Sequence, residues 1–475
     1  MTAILGGGIS GLSAAYYALE NPKLGSIVLL EASNRLGGWV CTKKSPTGAI
    51  FEQGPRTIRP HGDAGKNTLK LVDDLKLGEK VLSIPVNHPS ALNRFIYVDK
   101  QLHALPISLK PLFKTCPPFK RPLIKAIWSE IHTASIPSDD ESVYSFISRR
   151  MGTDIADNII SPIICGICAG DAKKISVKFL MPNVFKGEQK YGSIFKGMIK
   201  EKLFNKLGPS NMKTDKNIPK DPLEMNLVDR SIKSNWAFWT LDGGLEQLSQ
   251  ALANNLYSRN THIRLGTECK ELIFHSDSVE LRSGGETKKY ERIISSLPAK
   301  DLAKLVKNQH PELANELEAI PTVNVGIVNL EYPQGIVPQE AFGFLVPPKE
   351  GLPILGTSFD SCISPQENVV MTVMIGGAWF EEYFGTNPTE EYLLSVALEQ
   401  LKTILKIEIP PLSQNVSILR NCIPQYIVGH NDRVERIKDY ISVHKLPLGL
   451  CGSSYEGVGV NDVILSAKKA VSNDN

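Results

Sequence analysis

The chain has 475 residues, of which 42% are hydrophobic and 22% charged, values typical of a soluble globular protein of two or three domains. Its 53 basic and 50 acidic residues leave a formal net charge of +3, which disfavours nucleic acid as a general partner. Eight cysteines are too sparse for a disulfide scaffold, and no second C-x-x-C or His pair completes a metal set with Cys165 and Cys168.

The first predicted elements form a βαβ unit. Residues 2–5 and 26–30 are predicted as buried strands, and residues 10–19 as the helix between them. A strand starting at residue 2 leaves no room for a cleavable signal or transit peptide. The most apolar run, residues 159–170, is shorter than the roughly 20 residues of a membrane span, so we expect no transmembrane helix.

A glycine cluster joins the first strand to the first helix. In Gly6-x-Gly8-x-x-Gly11 the first glycine permits a tight turn, the second lets a pyrophosphate approach the backbone, and the third lets helix and strand pack closely. Glu31 ends the next strand, where its carboxylate is placed to accept hydrogen bonds from a ribose. This pattern predicts a tightly held dinucleotide, and the acidic residue disfavours NADP.

Residues 100–228 differ from the rest of the chain in being rich in proline, lysine and helical patterns. Residues 100–129 lack acidic side chains and alternate basic with apolar ones, and residues 193–208 form a second basic amphipathic stretch. These stretches are typical of contact with one membrane leaflet, but also of a helical core edge with solvated lysines. Residues 205–226 are predicted as a loop.

The α/β pattern returns after residue 230. Residues 323–377 are predicted as a mainly antiparallel sheet, and residues 448–470 as a strand, a glycine-rich turn and a final helix. The other predicted elements are a helix over 243–259 and strands over 262–266, 269–274, 278–282 and 291–298.

Three motifs resemble those of the FAD-dependent amine oxidase and desaturase superfamily: E31-A-S-N-R-L-G-G-W-V, G54-P-R and G452-S-S-Y-E-G-V-G-V-N-D. The resemblance implies that Arg35 and the Gly37-Gly38 turn help hold the FAD phosphates and that the G-P-R turn runs beneath the flavin. It places the N terminus of the last helix against the pyrimidine edge, where partial positive charge stabilises the reduced flavin. The implied cofactor-binding residues are Gly6, Gly7, Gly8, Ile9, Ser10, Gly11, Glu31, Ala32, Arg35, Gly38, Trp39, Gly54, Pro55, Arg56, Thr57, Glu268, Val458, Gly459 and Val460.

Further segments resemble the protoporphyrinogen oxidase family, and its mitochondrial form in particular. They include LNRFIYV at 92–98, FGFLVP at 342–347 and SYEGVGVND at 454–462, and they run in order from about residue 3 to 470. The resemblance implies oxidation of protoporphyrinogen IX by oxygen to protoporphyrin IX, with release of hydrogen peroxide, as the penultimate step of haem biosynthesis. The chemistry would be centred on the flavin, and no His, Asp or Cys is identified as a catalytic base.

The same resemblance implies a substrate pocket. Arg94 would face a substrate propionate, because arginine binds carboxylates well. The other implied pocket residues are Gly166, Ala169, Phe342, Gly343, Leu345 and Met374. The chain departs from the family pattern C-R-G-x-[FY]-A-G, since Cys165 and Cys168 replace an arginine and an aromatic residue. We interpret this C-x-x-C as a change in a pocket wall rather than a redox device.

The predicted fold class is α/β. A Rossmann-like FAD-binding domain discontinuous in sequence is expected over 1–86, 229–298 and 415–475, an α+β substrate-binding domain over 87–99 and 299–414, and an α-helical membrane-associating domain over 100–228. The resemblance further implies peripheral attachment to the mitochondrial inner membrane on its intermembrane-space side. It leaves a homodimer and a contact with ferrochelatase open.

Two other functions compete with this interpretation. One is another FAD oxidase of the superfamily, an amine oxidase or a carotenoid desaturase. The other is a non-catalytic escort similar to the Rab GDP-dissociation inhibitors, which share the fold without FAD catalysis. Retention of Arg35, Gly37-Gly38 and Gly457-x-Gly459 disfavours the escort.

Overall fold

The computed structural model describes residues 1–105, 110–207, 225–337 and 339–472, so most of the loop predicted at 205–226 lies outside the described residues. Its strands are β1 (Thr2–Leu5), β2 (Ile27–Leu30), β3 (Thr42–Lys44), β4 (Ile50–Glu52), β5 (Val81–Pro85), β6 (Arg94–Val98), β7 (Gln101–Ala104), β8 (Trp236–Leu241), β9 (His262–Arg264), β10 (Cys269–Phe274), β11 (Val279–Ser283), β12 (Glu286–Tyr290), β13 (Arg292–Ser295), β14 (Thr322–Tyr332), β15 (Gly343–Leu345), β16 (Ile354–Phe359), β17 (Val369–Gly377), β18 (Ser413–Pro424) and β19 (Leu448–Leu450). Its α-helices are α1 (Ile9–Ala18), α2 (Gly62–Asp74), α3 (Pro89–Leu92), α4 (Leu123–His132), α5 (Val143–Met151), α6 (Thr153–Ile155), α7 (Ser161–Cys168), α8 (Val177–Leu180), α9 (Pro182–Tyr191), α10 (Ile194–Leu207), α11 (Leu227–Lys233), α12 (Glu246–Ser258), α13 (Ala299–Val306), α14 (Pro311–Glu318), α15 (Phe380–Phe384), α16 (Glu390–Leu405), α17 (His430–Val443) and α18 (Val460–Ser472).

Five strands form a parallel sheet in the order β19-β13-β1-β2-β9. Every residue of β1 and β2 is buried, which explains why these strands are continuous apolar runs rather than alternating ones. Helices α1, α12 and α18 pack their apolar side chains into a core on one side of this sheet. The predicted βαβ unit at the start of the chain is present.

Seven strands form a second sheet, hereafter the large sheet, in the order β18-β14-β17-β16-β15-β6-β7. Its neighbouring strands are antiparallel except for β15 and β6, which run parallel. The sequence prediction ended the substrate-binding domain at residue 414, and this boundary is wrong. Strand β18 extends through Pro424 and pairs with β14 along its length, because its backbone groups complete the ladder of the large sheet.

The boundary predicted at residue 299 is also wrong. Leu302 of α13 and Leu317 of α14 are fully buried in one core with Leu5 of the parallel sheet. Both helices are amphipathic and cover the second face of that sheet, which would otherwise expose its apolar side chains. Residues 299–320 therefore pack with the parallel sheet rather than with the large sheet.

Helices α4 to α10 enclose a separate apolar core that includes Phe146, Ile164 and Phe185. This region also contains a buried ionic cluster. In the cluster, the Arg150 guanidinium lies 2.6 Å from the Glu130 carboxylate and 3.4 Å from the Glu188 carboxylate. All three side chains are fully buried. None of the helices in the described parts of the chain combines the length and apolarity needed to cross a bilayer.

Candidate flavin and substrate site

The two glycine turns predicted from the sequence face each other. Gly6 and Gly38 have positive φ angles of 96° and 58°, which glycine adopts without strain. Gly8 and Gly37 form a backbone bridge, and the Gly37 amide donates to the Gly7 carbonyl at 2.8 Å. A Cβ at Gly38 would lie 2.9 Å from the Gly8 Cα, so the second turn has no room for a side chain at this position.

Glu31 ties the second strand to the first turn. Its carboxylate accepts hydrogen bonds from the Gly7 amide at 2.6 Å and the Ser33 amide at 2.8 Å. Arg35 is exposed and donates to the Leu36 and Gly38 carbonyls, which holds it against the second glycine turn. Both side chains therefore lie beside the glycine turns, and their contacts with FAD stay predictions.

The G54-P-R56 turn lies directly beneath Trp39. A side chain at Gly54 would meet the Trp39 carbonyl oxygen at 2.0 Å, which makes glycine a steric requirement there. Trp39 itself is 42% exposed. Arg56 donates to the Gly54 carbonyl at 3.3 Å and places its Nε 3.4 Å from Asp360 Oδ1, whereas its buried Nε and Nη2 have no hydrogen-bond partner in the described residues.

A buried polar network behind Arg56 was missed by the sequence prediction. Glu52 accepts hydrogen bonds from the Leu245 amide at 2.6 Å and the Thr42 hydroxyl at 3.0 Å, and burial raises its pKa to about 7. Asp360 accepts from the Ser358 and Thr372 hydroxyls at 2.6 and 2.5 Å. Glu52, Arg56 and Asp360 line a cavity of about 20 Å³, which is large enough for one water molecule.

The closing motif reaches this site from the opposite end of the chain. Ser10 of α1 donates to the Val463 carbonyl of α18 at 3.4 Å, which brings the N termini of the two helices together. The Gly459 amide donates to Asp462 at 3.2 Å, and the Asn461 side chain donates to the Arg59 carbonyl at 2.8 Å. The predicted turns at 6–11 and 37–39 contact each other, Gly54 contacts Trp39, and the helix that begins at Val460 contacts α1 through Ser10.

Glu268 is the predicted cofactor residue with the weakest link to this set. Its side chain is exposed and ion-paired with Lys270. The neighbouring Thr267 amide donates to the Glu31 carbonyl at 2.8 Å, so the backbone at this position borders the Glu31 turn. Any contact of Glu268 with a nucleotide stays a prediction.

These residues fit FAD. The paired glycine turns leave a backbone cradle that side chains would fill, and α1 begins at Ile9 with no side-chain cap on its N terminus. Unpaired helix N–H groups at such a position bind phosphate. The buried Nη2 of Arg56 has no hydrogen-bond partner in the described residues, close to the G-P-R turn. No group of three or more His, Cys, Asp or Glu in the described ranges could hold a metal ion.

The predicted substrate residues gather on strands β6, β15 and β17 of the large sheet and on α7. Arg94 pairs with Gly343 in the parallel register of β6 and β15, and its guanidinium lies over the Phe342 ring at 5.7 Å. Phe342 in turn packs edge to face on Phe238 at 5.4 Å. Arg94 is exposed and has no ion-pair partner among the described residues.

The C-terminal end of α7 packs against strands β15 and β16 of the large sheet. A Cβ at Gly166 would lie 3.2 Å from a Leu345 methyl group, and Ala169 packs in one apolar cluster with Met374 and Cys165. Burial raises the pKa of the Cys165 and Cys168 thiols. The Cys165 thiol donates weakly to the Gly170 carbonyl beyond the helix end, and the Cys168 thiol to the Ile164 carbonyl within α7. Both are therefore protonated wall residues, in agreement with the interpretation that their C-x-x-C is not a redox device.

A model of the family of flavin containing amine oxidoreductases matches residues 9–473. Among curated proteins, the protoporphyrinogen oxidase of Homo sapiens is 37% identical over 98% of this chain and 96% of its own, and that of Bos taurus is 38% identical over the same shares. A crystal structure of a proposed protoporphyrinogen oxidase from Exiguobacterium sp. 255-15 shares the fold, with a TM-score of 0.78 at 24% identity over 99% of this chain and 97% of that one. The chain therefore belongs to the flavin containing amine oxidoreductase family and, within it, to the protoporphyrinogen oxidases.

Proposed function

We propose that this protein oxidises protoporphyrinogen IX to protoporphyrin IX with oxygen and releases hydrogen peroxide, in the penultimate step of haem biosynthesis. The observation that carries the proposal is the position of Arg94, a cation without an ion-pair partner in the described residues, above the Phe342 ring. A cation beside an aromatic wall suits a flat apolar macrocycle with carboxylate side chains. Similarity to curated protoporphyrinogen oxidases over nearly the whole chain supports the same substrate.

FAD would be held by the two glycine turns, Glu31, Arg35 and the G-P-R turn. Once bound by these residues, FAD would supply the redox chemistry that moves hydride equivalents from the substrate to oxygen. Glu31 would bind the ribose, and the free amides at the start of α1 would bind phosphate. The N terminus of α18, which begins at Val460, supplies partial positive charge beside the site.

The protein's own contribution to the reaction is binding and orientation rather than proton transfer. His430 is buried, contacts the Tyr455 carbonyl at 3.4 Å and has its pKa lowered to about 4, mainly by burial. The Cys165 and Cys168 thiols are buried and protonated at neutral pH. These groups offer no base to the substrate, so we propose that Arg94 anchors a propionate while Phe342, Leu345 and Met374 flank the macrocycle.

A direct assay tests this function. The holoprotein, mixed with protoporphyrinogen IX under air, should give a rise in porphyrin fluorescence above the autoxidation blank, together with hydrogen peroxide. Absence of an enzyme-dependent rise would defeat the assignment. Turnover of a primary amine or a carotenoid instead would favour another FAD oxidase, and a protein without flavin absorbance after reconstitution with FAD would favour the non-catalytic escort.

We also propose that the helical region attaches the protein to a membrane surface. Phe113, Trp128, Met198 and Ile199 are between 49% and 66% exposed, and we call them the apolar patch. Lys196 donates to the Ile131 carbonyl at 3.2 Å and so joins α10 to α4, the helices that carry most of the patch. Exposed lysines on the same segments suit anionic lipid headgroups.

The proposed location is the mitochondrial inner membrane, on its intermembrane-space side. Flotation of the holoprotein with anionic vesicles should be lost in Phe113→Ser/Trp128→Ser. The control is Val443→Ser on α17, which removes an equally exposed apolar side chain, 76% exposed, outside the patch. Equal flotation of both variants would contradict attachment through the apolar patch.

A further inference from the structure

Arg59 is a second cation beside Arg94 that the sequence prediction did not include. It follows the G54-P-R56 turn by three residues, and its side chain is exposed. Within the described residues neither Arg59 nor Arg94 forms an ion pair with an Asp or Glu. Most other arginines of the described chain, such as Arg282 with Glu271 at 2.7 Å, do have an acidic partner or hydrogen-bond a backbone carbonyl.

The backbone at Arg59 is fixed on both sides. The Ile58 amide donates to the Trp239 carbonyl at 2.8 Å, and the Trp239 amide returns a hydrogen bond to Ile58 at 2.9 Å. The Arg59 carbonyl accepts from Asn461 at 2.8 Å. Arg59 is therefore held between strand β8 and the closing motif, at the border of the flavin and substrate regions.

A short chain of contacts links Arg59 to Arg94. Its neighbour Ile58 pairs with Trp239 of β8. The adjacent Phe238 packs on Phe342, and the Arg94 guanidinium lies over the Phe342 ring. In line with this geometry, partial burial and, after it, repulsion from Arg59 lower the pKa of Arg94. Two like charges held near each other without an anion are unfavourable in the free protein. A ligand that brings two carboxylates relieves this repulsion, and each carboxylate can form a charge-assisted hydrogen bond with one guanidinium.

We propose that Arg59 and Arg94 together bind the two propionates of the tetrapyrrole, so that Arg59 is a further specificity-determining residue of the substrate site. This inference rests on the proposed function. The pair selects a macrocycle with two carboxylates over an equally apolar macrocycle without them.

The test compares protoporphyrinogen IX with its dimethyl ester as substrates of Arg59→Ala, Arg59→Lys and Arg94→Ala holoproteins. Arg59→Ala should raise KM for the diacid about tenfold or more and leave KM for the diester nearly unchanged, because the ester has no charge to lose. Arg59→Lys should recover part of the loss. Arg282→Ala, the control, should change neither KM.

Binding of the products, protoporphyrin IX and its dimethyl ester, gives a second readout by fluorescence quenching. Selective weakening of diacid binding in Arg59→Ala supports the inference even if the wild-type protein shows no turnover. In that case only the proposed function would be refuted. An equal loss of affinity for diacid and diester, or loss of FAD from Arg59→Ala, would overturn the inference. Arg59 would then maintain the shape of the site or retain the cofactor.

Discussion

Asp360, which directly follows strand β16 of the large sheet, holds its carboxylate 3.4 Å from the Nε of Arg56 in the G-P-R turn. The two side chains are 9% and 13% exposed, and Asp360 accepts hydrogen bonds from the hydroxyl groups of Ser358 and Thr372. Because Arg56 belongs to an FAD motif and Asp360 follows a strand of the large sheet, this ion pair joins the flavin region to the substrate region. A rigid ion pair at this place keeps the flavin region and the substrate region in a constant relative position.

The first prediction concerns the Arg56–Asp360 ion pair. Asp360→Asn should destabilise the protein by about 3 kcal/mol, because Arg56 is left as a largely buried charge without a counterion. FAD should also dissociate more readily, since Arg56 loses its fixed orientation. The matched control is Asp301→Asn, which breaks a pair with Lys304 whose partners are 52% and 71% exposed and should cost under about 1 kcal/mol. Denaturant unfolding of both variants measures the difference, and equal costs would refute the role of Asp360.

The second prediction is a pH dependence set by Glu52. Burial raises its pKa to about 7, whereas an unfolded chain has a value near 4.5. The unfolded state therefore releases this proton at lower pH than the folded state. The contribution of protonated Glu52 to the free energy of unfolding is fully present below about pH 4.5 and is lost as pH rises through 7. Glu52→Gln should remove this decline, whose upper limit is about 3 kcal/mol. Unfolding free energies of the two proteins from pH 5 to 8 provide the measurement, and parallel curves would contradict the prediction.

The third prediction separates folding from cofactor binding within one motif. A Cβ at Gly11 would lie 1.9 Å from the Gly6 carbonyl oxygen, whereas a Cβ at Gly8 meets nothing closer than 3.7 Å. Gly11→Ala should therefore destabilise even the apoprotein by about 3 kcal/mol. Gly8→Ala should leave the apoprotein's Tm nearly unchanged and weaken FAD binding at least about tenfold, since this glycine admits the pyrophosphate. The apoprotein's Tm and titration with FAD distinguish the two variants. A lower Tm in Gly8→Ala than in Gly11→Ala would contradict the structural role of Gly11 and the cofactor-binding role of Gly8.

The sequence was a good guide wherever the contacts are local. The Gly6-to-Gly11 turn, its strand and its helix lie within seventeen residues, and steric requirements at a βα turn are specific enough to be recognised. Gly54, by contrast, was predicted from its resemblance to a family motif. Its steric requirement, set by the Trp39 carbonyl fifteen residues away, is seen only in the structure.

Long-range partners were not predictable in the same way. Glu52 and Asp360 lie at the ends of strands more than three hundred residues apart, and an isolated acidic residue at a strand end gives no sign of its partner. Residues 415–424 were placed in the FAD-binding domain for the same reason, because the sequence does not show that they form strand β18 and pair with β14. Arg59 was likewise recognised as a candidate substrate residue only from its position relative to Arg94 in the structure.

The fourth prediction tests the thiols of the α7 wall. Cys165 and Cys168 are 2% and 1% exposed, and burial raises the pKa of both. Alkylation of the native protein at pH 7.5 should therefore leave them unmodified while the less buried Cys116 reacts, as read by peptide mass spectrometry. Denaturation should expose all three. Rapid native labelling of Cys165, or a disulfide between the pair, would restore a redox role.

The final prediction concerns the ionic cluster of the helical region. Arg150 donates to Glu130 at 2.6 Å, and Glu130 also accepts from the Ser193 hydroxyl and the Ile194 amide at the start of α10. Although burial alone would raise the pKa of Glu130, its hydrogen bonds, led by that from Arg150, lower it. Its contribution to stability is therefore present above its unfolded pKa and is lost as pH falls below that value.

Arg150→Met should cost about 3 to 5 kcal/mol at pH 7, because Glu130 becomes a buried charge without its cation. The loss should shrink on acidification, when Glu130 takes up a proton, and Arg150→Met/Glu130→Met should recover much of it. The same single variant should loosen α10 and weaken vesicle flotation, since α10 carries Met198 and Ile199 of the apolar patch. A stability loss that is independent of pH would show that packing, rather than charge pairing, explains the effect of Arg150.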